Sequence, residues 1–345
     1  MKIVLTNLVY GETYAKLFLE NHLKSLLDPT NLPKVKGSVE KYFIFCDNET
    51  KPMLQKHTNM MRLLAEVEVE FRDFTWRPDM NGALKFDARY SALVGQFVQS
   101  VTIALERGAV LGAWTADMVL AKHFLPRALE KLDDGWDGVF IQPPRACAEG
   151  IAEVFQHVEG ALDANELWAA LHQKHHMHPY LYAANHWGSP TFTNEPYYLL
   201  WNTGTGILCR TFSVTPIVLR PTPEMTEARQ VIDISIAPLI EKPYWVEDFD
   251  EMGLILCEPV LCYNKVLTNM PPQIDRLQKF AEQRHPHQRE YLKERKFYYP
   301  NRFVANVSPE VMAESDHAVD MILGDEEFDP AFEEATKTEE WGVDQ

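Results

Sequence analysis

The sequence predicts an α/β protein with a mainly parallel sheet, helices on both faces of it, and a less regular C-terminal region. In the first third of the chain, short apolar runs alternate with segments whose apolar residues have helical spacing. Strands that are separated by helices in this way pair as parallel neighbours. The chain has 345 residues, of which 46% are hydrophobic and 24% charged, so it can bury a large core.

Each predicted element follows from its apolar spacing and from the residues that end it. Residues 2–10 (KIVLTNLVY) are a predicted strand that Gly11 ends, and the helix after it stops at Asp28-Pro29. The further predicted strands are 41–48, 67–74, 109–114 and 136–145, and the predicted helices are 51–65, 86–107, 118–134 and one or two within 147–176. Residues 177–220 are predicted as short strands and loops, with a tight hairpin turn at Gly204 and Gly206.

The carboxyl ends of the predicted strands identify a candidate ligand site. Open parallel sheets bind ligands outside the carboxyl ends of their strands. That rule brings together residues 7–13, 47–50 and 115–118, and the last of these segments contains Asp117. An aspartate at this position can be a ligand-binding residue or the N-cap of the following helix, and both interpretations stay open.

Composition restricts the partners and the location of the protein. The formal net charge of −17 argues against a nucleic-acid backbone as the main partner, because such binding depends on Lys and Arg. No segment approaches the ~20 apolar residues of a membrane span, and the N-terminus lacks the pattern of a signal peptide. Five scattered cysteines without a CxxC motif are typical of free thiols in a reducing compartment. We therefore expect a cytoplasmic protein with a small-molecule substrate.

One segment carries a resemblance to a known family. Residues 9–33, VYGETYAKLFLENHLKSLLDPTNLP, join a Gly-x-x-Tyr helix start to Leu-x-Ser-Leu-Leu-x-Pro-x-Asn-Leu-Pro. This opening resembles that of bacterial glycosyltransferase-like proteins of the GT-A type. The likeness continues through residues 86–107, TADMVL (115–120), Trp201 and the VIDI and VEDFDEM motifs. It implies a GT-A-like nucleotide-sugar-binding domain over residues 1–260. We expect a helical extension at 261–312 and an acidic, flexible tail at 313–345.

The resemblance also implies a metal site, with one departure. GT-A enzymes usually carry Asp-x-Asp at a strand end, where the carboxylates hold Mn²⁺ or Mg²⁺ against the diphosphate of the sugar donor. Here the stretch reads Thr115-Ala116-Asp117, so threonine replaces the first carboxylate. Asp117 is then the expected ligand of the metal or of the donor ribose, and Asp233 or Asp250 could complete the metal site. The alternative is that those acids lie on exposed loops or at helix starts.

Under this resemblance the chain is a glycosyltransferase that moves a sugar from a UDP- or GDP-linked donor to an acceptor. Catalysis is expected from Asp117, Asp248 and Asp250, with one acid as general base on the acceptor hydroxyl. The donor is expected to contact Thr6, Asn7, Tyr10, Gly11, Asp47 and Thr115. Aromatic and imidazole rings stack on sugar faces, so the candidates for substrate contact are His178, His186, Trp187 and Trp201; a buried aromatic core is the alternative. A glycan, a lipid-linked sugar or a protein remains open as the acceptor.

Two other functions stay open. A catalytically silent GT-A-like domain that binds a sugar nucleotide or a protein partner would account for the missing carboxylate. A metal-dependent enzyme could instead be centred on the histidines of LHQKHHMHPY, where His172 and His176 share a helix face that can bind zinc. No HExxH pattern accompanies them, which favours a protonatable, solvated surface cluster as their explanation.

Overall fold

The computed structural model describes residues 1–73, 88–173, 198–203, 206–228, 232–258, 274–300 and 307–324. The chain divides into two compact units. The first unit comprises Met1–His176 with Val214–Cys262, and the second comprises Met177–Ser213 with Tyr263–Gln345. None of the described helices is long and apolar enough to cross a membrane.

The described secondary structure is as follows. In chain order, the strands are β1 (Ile3–Val9), β2 (Val39–Cys46), β3 (Val69–Asp73), β4 (Val110–Thr115), β5 (Met118–Leu120), β6 (Gly138–Ile141), β7 (Arg145–Cys147), β8 (Tyr198–Asn202), β9 (Gly206–Thr211), β10 (Thr215–Leu219), β11 (Pro243–Val246), β12 (Leu254–Glu258) and β13 (Phe297–Pro300). The α-helices are α1 (Gly11–Leu17), α2 (Leu23–Leu26), α3 (Leu32–Val35), α4 (Thr50–Gln55), α5 (Thr58–Glu66), α6 (Ala88–Glu106), α7 (Phe124–Asp133), α8 (Ala148–Gln156), α9 (Ala164–Gln173), α10 (Ile232–Ser235), α11 (Ile274–Glu282), α12 (Pro286–Glu294) and α13 (Pro309–Leu323). A π-helical turn, Phe18–His22, joins α1 to α2.

The first unit is built on a seven-stranded sheet with the order β11-β6-β10-β4-β1-β2-β3 in the described residues. Neighbouring strands are parallel except at β10, which is antiparallel to both β4 and β6. Val9 pairs with Cys46 and Leu8 with Thr115, so β1, β2 and β4 end at the same edge of the sheet. The predicted fold class, α/β with a mainly parallel sheet, is confirmed.

Helices cover both faces of this sheet. On one face, Ile3 and Val9 of β1 belong to an apolar core that includes residues of α1, α2, α5 and α7. On the other, the Thr6 hydroxyl accepts hydrogen bonds from Gln96 (2.8 Å) and Ser100 (3.0 Å) of α6. Because successive side chains of a strand point to opposite faces, these contacts lie on opposite sides of β1. All residues of β1 are buried, as in a central parallel strand.

A second, smaller sheet adjoins the end of β4. Its order is β5-β12-β7, with β12 antiparallel to β5 and parallel to β7. The predicted helix over residues 118–134 is therefore wrong in its first part, because residues 118–120 pair with β12 and the helix begins only at Phe124. Pairing with a distant strand has overridden the local apolar pattern.

The second unit contains a three-stranded antiparallel sheet, β13-β9-β8, and the helices α11, α12 and α13. The fully buried Arg210 pairs with Asp316, which also pairs with Lys296 at 2.9 Å. The expected start of the acidic tail at residue 313 falls inside α13. Val319 and Ile322 of that helix pack in the apolar core of the unit, so the apolar face of the helix is part of that core. Residues 325–345 of the expected tail lie outside the described residues.

Gly160 gives a first prediction for stability. Its φ is +97°, and a Cβ there would overlap Oδ2 of Asp28, which accepts a hydrogen bond from Ala161 N at 2.9 Å. Gly160→Ala should therefore lower the free energy of unfolding by more than about 2 kcal/mol, measured by urea denaturation. Gly135→Ala is the matched control, because Gly135 has φ +96° and no atom within 4 Å of its Cβ position. Equal losses in the two variants would contradict a role for Asp28.

Candidate functional site

The loops after β1 and β2 meet at the carboxyl edge of the main sheet. The N–H of Gly11 donates to Oγ1 of Thr50 at 2.8 Å and to Oδ2 of Asp47 at 3.2 Å. Gly11 has φ +68°, a backbone conformation that residues other than glycine rarely adopt. Tyr10 lies beside this turn, and its ring centroid is 5.2 Å from that of Tyr14. Two of the three segments that the sequence brings to this edge are thus in direct contact.

The Asp47 carboxylate organises this contact. Oδ1 accepts from the N–H groups of Glu49 (2.9 Å) and Thr50 (2.7 Å), and Oδ2 accepts from the Thr50 hydroxyl at 2.9 Å. Burial acts to raise the pKa of Asp47, but the hydrogen bonds from Thr50, Gly11 and Glu49 outweigh it, and the pKa is lowered. Asp47 therefore stays ionised and holds the two loops together.

Asp117 lies between β4 and β5, at the same edge. Its backbone oxygen accepts a hydrogen bond from Cys257 N at 2.8 Å. Its side chain is half-buried, and Oδ1 is buried without a hydrogen-bond partner among the described residues. Burial raises the pKa of Asp117, against the lowering effect of the Thr115 hydroxyl, of its own N–H and of the charge of Arg145. A buried carboxylate oxygen without a donor is costly, and such groups concentrate at functional sites.

Arg145 is the cation whose charge acts on the pKa of Asp117. Leu256 of β12 pairs with Met118 on one side and with Arg145 on the other, so the three residues form one row across the small sheet. Asp117 lies in the next row, opposite Cys257, whose partner in β7 is Ala146. Arg145 is half-buried, and its charge lowers the pKa of Asp117. Sequence reasoning missed this residue because the pairing with β12 is not readable from local pattern.

A buried polar chain holds both backbone ends of the Asp117 turn. Asn7 Nδ2 donates to the carbonyl of Thr115 at 3.0 Å, and Asn7 Oδ1 accepts from the hydroxyl of Tyr42. His22 Nδ1 lies 2.8 Å from the carbonyl of Met118, and its Nε2 lies 3.4 Å from the Tyr42 hydroxyl. A carbonyl oxygen can only accept a hydrogen bond, so Nδ1 carries the proton and Nε2 is unprotonated. Burial lowers the pKa of His22 to about 4, so the ring is neutral.

The segment of residues 22–31, which we call the anchoring segment, binds the chain that follows Asp117. Ser25 Oγ accepts from Leu120 N at 3.1 Å, and Asn31 Nδ2 donates to the carbonyl of Ala121 at 3.0 Å. Asn31 Oδ1 also accepts from Leu125 N at 3.2 Å. These bonds fix β5 and the start of α7. The Ser and Asn of the motif that carries the family resemblance are therefore used to position the strand after Asp117.

The remaining expected contacts of the donor at this edge differ in exposure. Thr6 and Asn7 are fully buried, and their polar groups bind α6, β4 and Tyr42. Thr115 is half-buried, and its hydroxyl is hydrogen-bonded to the Asp117 carboxylate. Thr6 and Asn7 therefore support the site from beneath, whereas Tyr10, Gly11 and Thr115 lie closer to its surface.

The acids of the 248–251 loop lie away from Asp117. β12 is antiparallel to β5: its first residue, Leu254, pairs with Leu120, and Cys257 near its end bonds to Asp117. The loop that precedes β12 therefore adjoins the Leu120 end of β5 and not the Asp117 end. There Asp248 accepts from Asp250 N at 2.9 Å. Burial, and then the charge of Asp248, raise the pKa of Asp250. The structure thus does not bring Asp248 and Asp250 to Asp117, although the sequence grouped them in one site.

Of the aromatic and histidine residues expected to contact the substrate, one lies in a buried core and the others lie outside the described residues. Trp201 is fully buried in β8 and packs in the apolar core of the second unit, where it cannot stack on a substrate. His178, His186 and Trp187, together with His175 and His176, lie outside the described residues, as do the side chains of His172 and Asp233.

The residues around Asp117 do not fit the expected Mn²⁺ or Mg²⁺ site. In the described part of the chain, no group of three or more His, Cys, Asp or Glu side chains could hold a metal ion. The Asp117 carboxylate is hydrogen-bonded to the Thr115 hydroxyl and its pKa is lowered by the charge of Arg145, whereas these cations need several oxygen ligands.

Comparison with known proteins gives little beyond this geometry. No family model and no curated protein matches the chain. Among solved structures, UDP-glucose pyrophosphorylase from Acinetobacter baumanii aligns with a TM-score of 0.34 and 10% identity, over 83% of this chain and 95% of that one. Mannose-1-phosphate geranyltransferase from Thermus thermophilus aligns with a TM-score of 0.24 and 17% identity, over 43% of this chain and 44% of that one. These scores are too low to carry a conclusion about the function of this chain.

Proposed function

We propose that the chain is a glycosyltransferase that binds a UDP- or GDP-linked sugar at the carboxyl edge of its main sheet. The observation that carries this proposal is the Asp117 carboxylate, which lies at the end of the central strand β4 with Oδ1 buried and lacking a donor among the described residues. Parallel sheets of this kind bind ligands at that edge. The family resemblance of residues 9–33 supports the same ligand class.

In this proposal the 10–11 turn and Asp47 border the nucleoside, and Asp117 contacts the donor next to the reacting centre. The acceptor hydroxyl oxygen forms a bond to C1 of the sugar, and the bond from C1 to the phosphate oxygen breaks. The electron pair leaves with the nucleoside diphosphate, and the hydroxyl proton passes to the departing phosphate. The buried network of Asn7, Tyr42 and His22 keeps the Asp117 turn in one geometry during this step.

Asp117→Asn tests the donor site. The amide keeps the size of the side chain but removes the charge, so donor affinity should fall by about tenfold, or ~1.4 kcal/mol. The melting temperature should stay equal or rise, because burying a charged carboxylate costs free energy. Calorimetric titration with UDP-glucose and GDP-mannose measures the first effect, and thermal denaturation the second.

Asp133→Asn is the matched control, because Asp133 is exposed at the end of α7. Its donor affinity should equal that of the wild type. If Asp117→Asn also binds the donor normally, the role assigned to Asp117 is incorrect. A large loss of stability in that variant would instead favour the interpretation of Asp117 as a structural turn residue.

A silent binding domain is the second candidate, and one observation favours it. Asp248 and Asp250, the acids expected to act as general base, adjoin the end of β5 that is remote from Asp117. Release of nucleoside diphosphate from the bound donor, measured with and without sugar and peptide acceptors, separates the two functions. Binding without release in any of these assays favours the silent domain.

A further inference from the structure

We propose that α4 and α5 bind this chain to the surface of an anionic membrane. The contact face consists of exposed apolar and cationic side chains, and we call it the docking patch: Met53, Lys56, Met61, Arg62 and Leu64. The partner is the headgroup layer of a phospholipid bilayer that carries negative charge. Donor binding at the carboxyl edge does not need this contact, so membrane binding is a function additional to the one proposed above.

Exposed apolar side chains are concentrated on these two helices. In the part of the chain that the structure describes, six large apolar side chains are exposed, and three of them are Met53 (41%), Met61 (57%) and Leu64 (42%). α4 and α5 contact each other, and residues three apart on a helix, such as Met61 and Leu64, share a face. Met60 and Leu63 fill the core side of α5. Apolar residues that are exposed together indicate a binding surface, whereas single scattered ones do not.

Positive charge borders the apolar side chains. Residues 50–65 contain three Lys or Arg and neither Asp nor Glu, although the whole chain has 50 acidic and 33 basic residues. Lys56 follows Met53 by three positions, and Arg62 directly follows Met61. Both cationic side chains are exposed, so they can reach an anionic partner that covers the apolar ones. The charge of the docking patch is thus opposite to that of the chain as a whole.

This combination favours a lipid surface over a protein surface. Lys and Arg are attracted to anionic headgroups, and apolar side chains between them enter the boundary of headgroups and acyl chains. The exposed side of a helix is convex, which a fluid bilayer accepts, whereas a protein partner needs a complementary shape. A second copy that bound through the same face would place two positive patches against each other.

The acidic remainder of the chain sets the orientation of binding. Its formal net charge of −17 is repelled by anionic lipid, so the other faces of the chain are kept away from the membrane. At physiological ionic strength this repulsion is screened over about 8 Å, and the docking patch in direct contact retains its attraction.

The docking patch begins next to the carboxyl edge of the main sheet. Thr50 is the first residue of α4, and its hydroxyl accepts from Gly11 N at 2.8 Å. Met53 lies about one helical turn further along α4. Membrane binding would therefore hold the candidate site beside the lipid surface, where a lipid-linked acceptor is found. This last consequence rests on the proposed function, whereas the binding itself does not.

Cosedimentation of the full chain with phosphatidylcholine vesicles, with and without about 30% phosphatidylglycerol, tests the inference at low and high salt. We expect binding to the anionic vesicles at low salt, and binding weaker by about tenfold or more to neutral vesicles and in high salt. The double variant Lys56→Gln with Arg62→Gln should bind anionic vesicles about tenfold less tightly or worse, because two cations leave the contact face. Met61→Ser with Leu64→Ser should have a loss of about the same size, because the inserted apolar area is removed.

Matched controls change the same residue types at exposed positions elsewhere. Lys242→Gln with Lys279→Gln controls for charge, and Leu239→Ser controls for the apolar exchange. Both should bind anionic vesicles as the wild type does. Thermal denaturation reports that all variants are folded, which is expected because every replaced side chain is exposed.

Three results would overturn the inference. The first is a wild type that does not bind anionic vesicles or binds neutral ones equally well, and the second is a patch variant that binds as the wild type does. The third is a dimer in sedimentation equilibrium that Met61→Ser with Leu64→Ser dissociates, because the patch would then bind a second copy. Calorimetry with UDP-glucose and GDP-mannose tests the proposed function separately. Failure to bind either donor would remove the lipid-linked acceptor and leave membrane binding in place.

Discussion

Acidification from pH 6.5 to pH 4 should lower the free energy of unfolding by about 3 kcal/mol through His22 alone. Burial lowers the pKa of this ring from 6.5 to about 4, and its Nδ1 meets the carbonyl of Met118. The groups that face the ring are the Tyr42 hydroxyl and the rings of Phe18 and Trp114. Within the described part of the chain no charged group contributes to its pKa, so a proton there would have no counter-charge.

The sign follows from where the proton binds. Between the two pKa values the unfolded chain binds a proton at His22 and the folded chain does not, so protonation favours unfolding. The stability that the neutral ring provides is complete above pH 6.5, is lost as the pH falls toward 4, and changes no further below the folded pKa. Urea denaturation at several pH values between 7 and 4 measures this loss.

His22→Gln isolates the effect from other titrating groups. Glutamine cannot gain a proton, so the variant should be less stable than the wild type at pH 7, and the difference should shrink as the pH approaches 4. His157→Gln is the control for the exchange itself, because His157 is exposed after α8 and its replacement should leave the free energy of unfolding at pH 7 unchanged. If the His22→Gln curve runs parallel to that of the wild type, His22 is not the group that titrates.

The sheet was predictable from the sequence because its signals are local. The apolar run of residues 3–9, the stop at Gly11 and the alternation of strands with helices indicate the order of elements and the shared edge at which they end. The same reasoning failed at residues 118–120. That run is apolar in either conformation, and only the partner strand β12, which follows it by more than a hundred residues, makes it a strand.

The candidate site was only partly predictable for a related reason. Asp117 was found because it follows a buried strand, and its position in sequence locates the edge. Arg145 was not found, because β7 joins the sheet that contains β5 only through the pairings across β12. Asp248 and Asp250 were grouped with Asp117 on residue type alone, and the register of the same strand separates them.

The sequence of the anchoring segment contains polar residues at positions where its apolar spacing predicts apolar ones. His22 interrupts the apolar stripe of the first helix, and Ser25 and Asn31 are polar residues among leucines. Buried polar side chains need partners, so polar residues on an apolar face indicate bonds to backbone groups elsewhere. Which backbone they bind could not be inferred, because residues 118–125 are distant in sequence.

Asn31→Ala should be the most damaging single substitution in the anchoring segment, with a loss of about 3 kcal/mol or more in the free energy of unfolding. The fully buried side chain donates to the carbonyls of Ser25 and Ala121, both at 3.0 Å, and accepts from Leu125 N at 3.2 Å. Alanine removes all three bonds, and the carbonyls of Ser25 and Ala121 keep only the longer bonds from Asp28 N (3.4 Å) and Phe124 N (3.3 Å). Each unsatisfied buried group costs about 1–3 kcal/mol.

Asn59→Ala is the matched control, because its half-buried side chain donates to one backbone group, the Leu19 carbonyl at 2.9 Å. This variant should lose about 1 kcal/mol in the free energy of unfolding, and its affinity for the donor should be unchanged. Asn31→Ala should also weaken donor binding at temperatures where it stays folded, because Asn31 binds Ala121, directly after β5, and β5 directly follows Asp117. A destabilised Asn31→Ala protein that binds donor normally would show that the anchoring segment supports the fold without setting the position of Asp117.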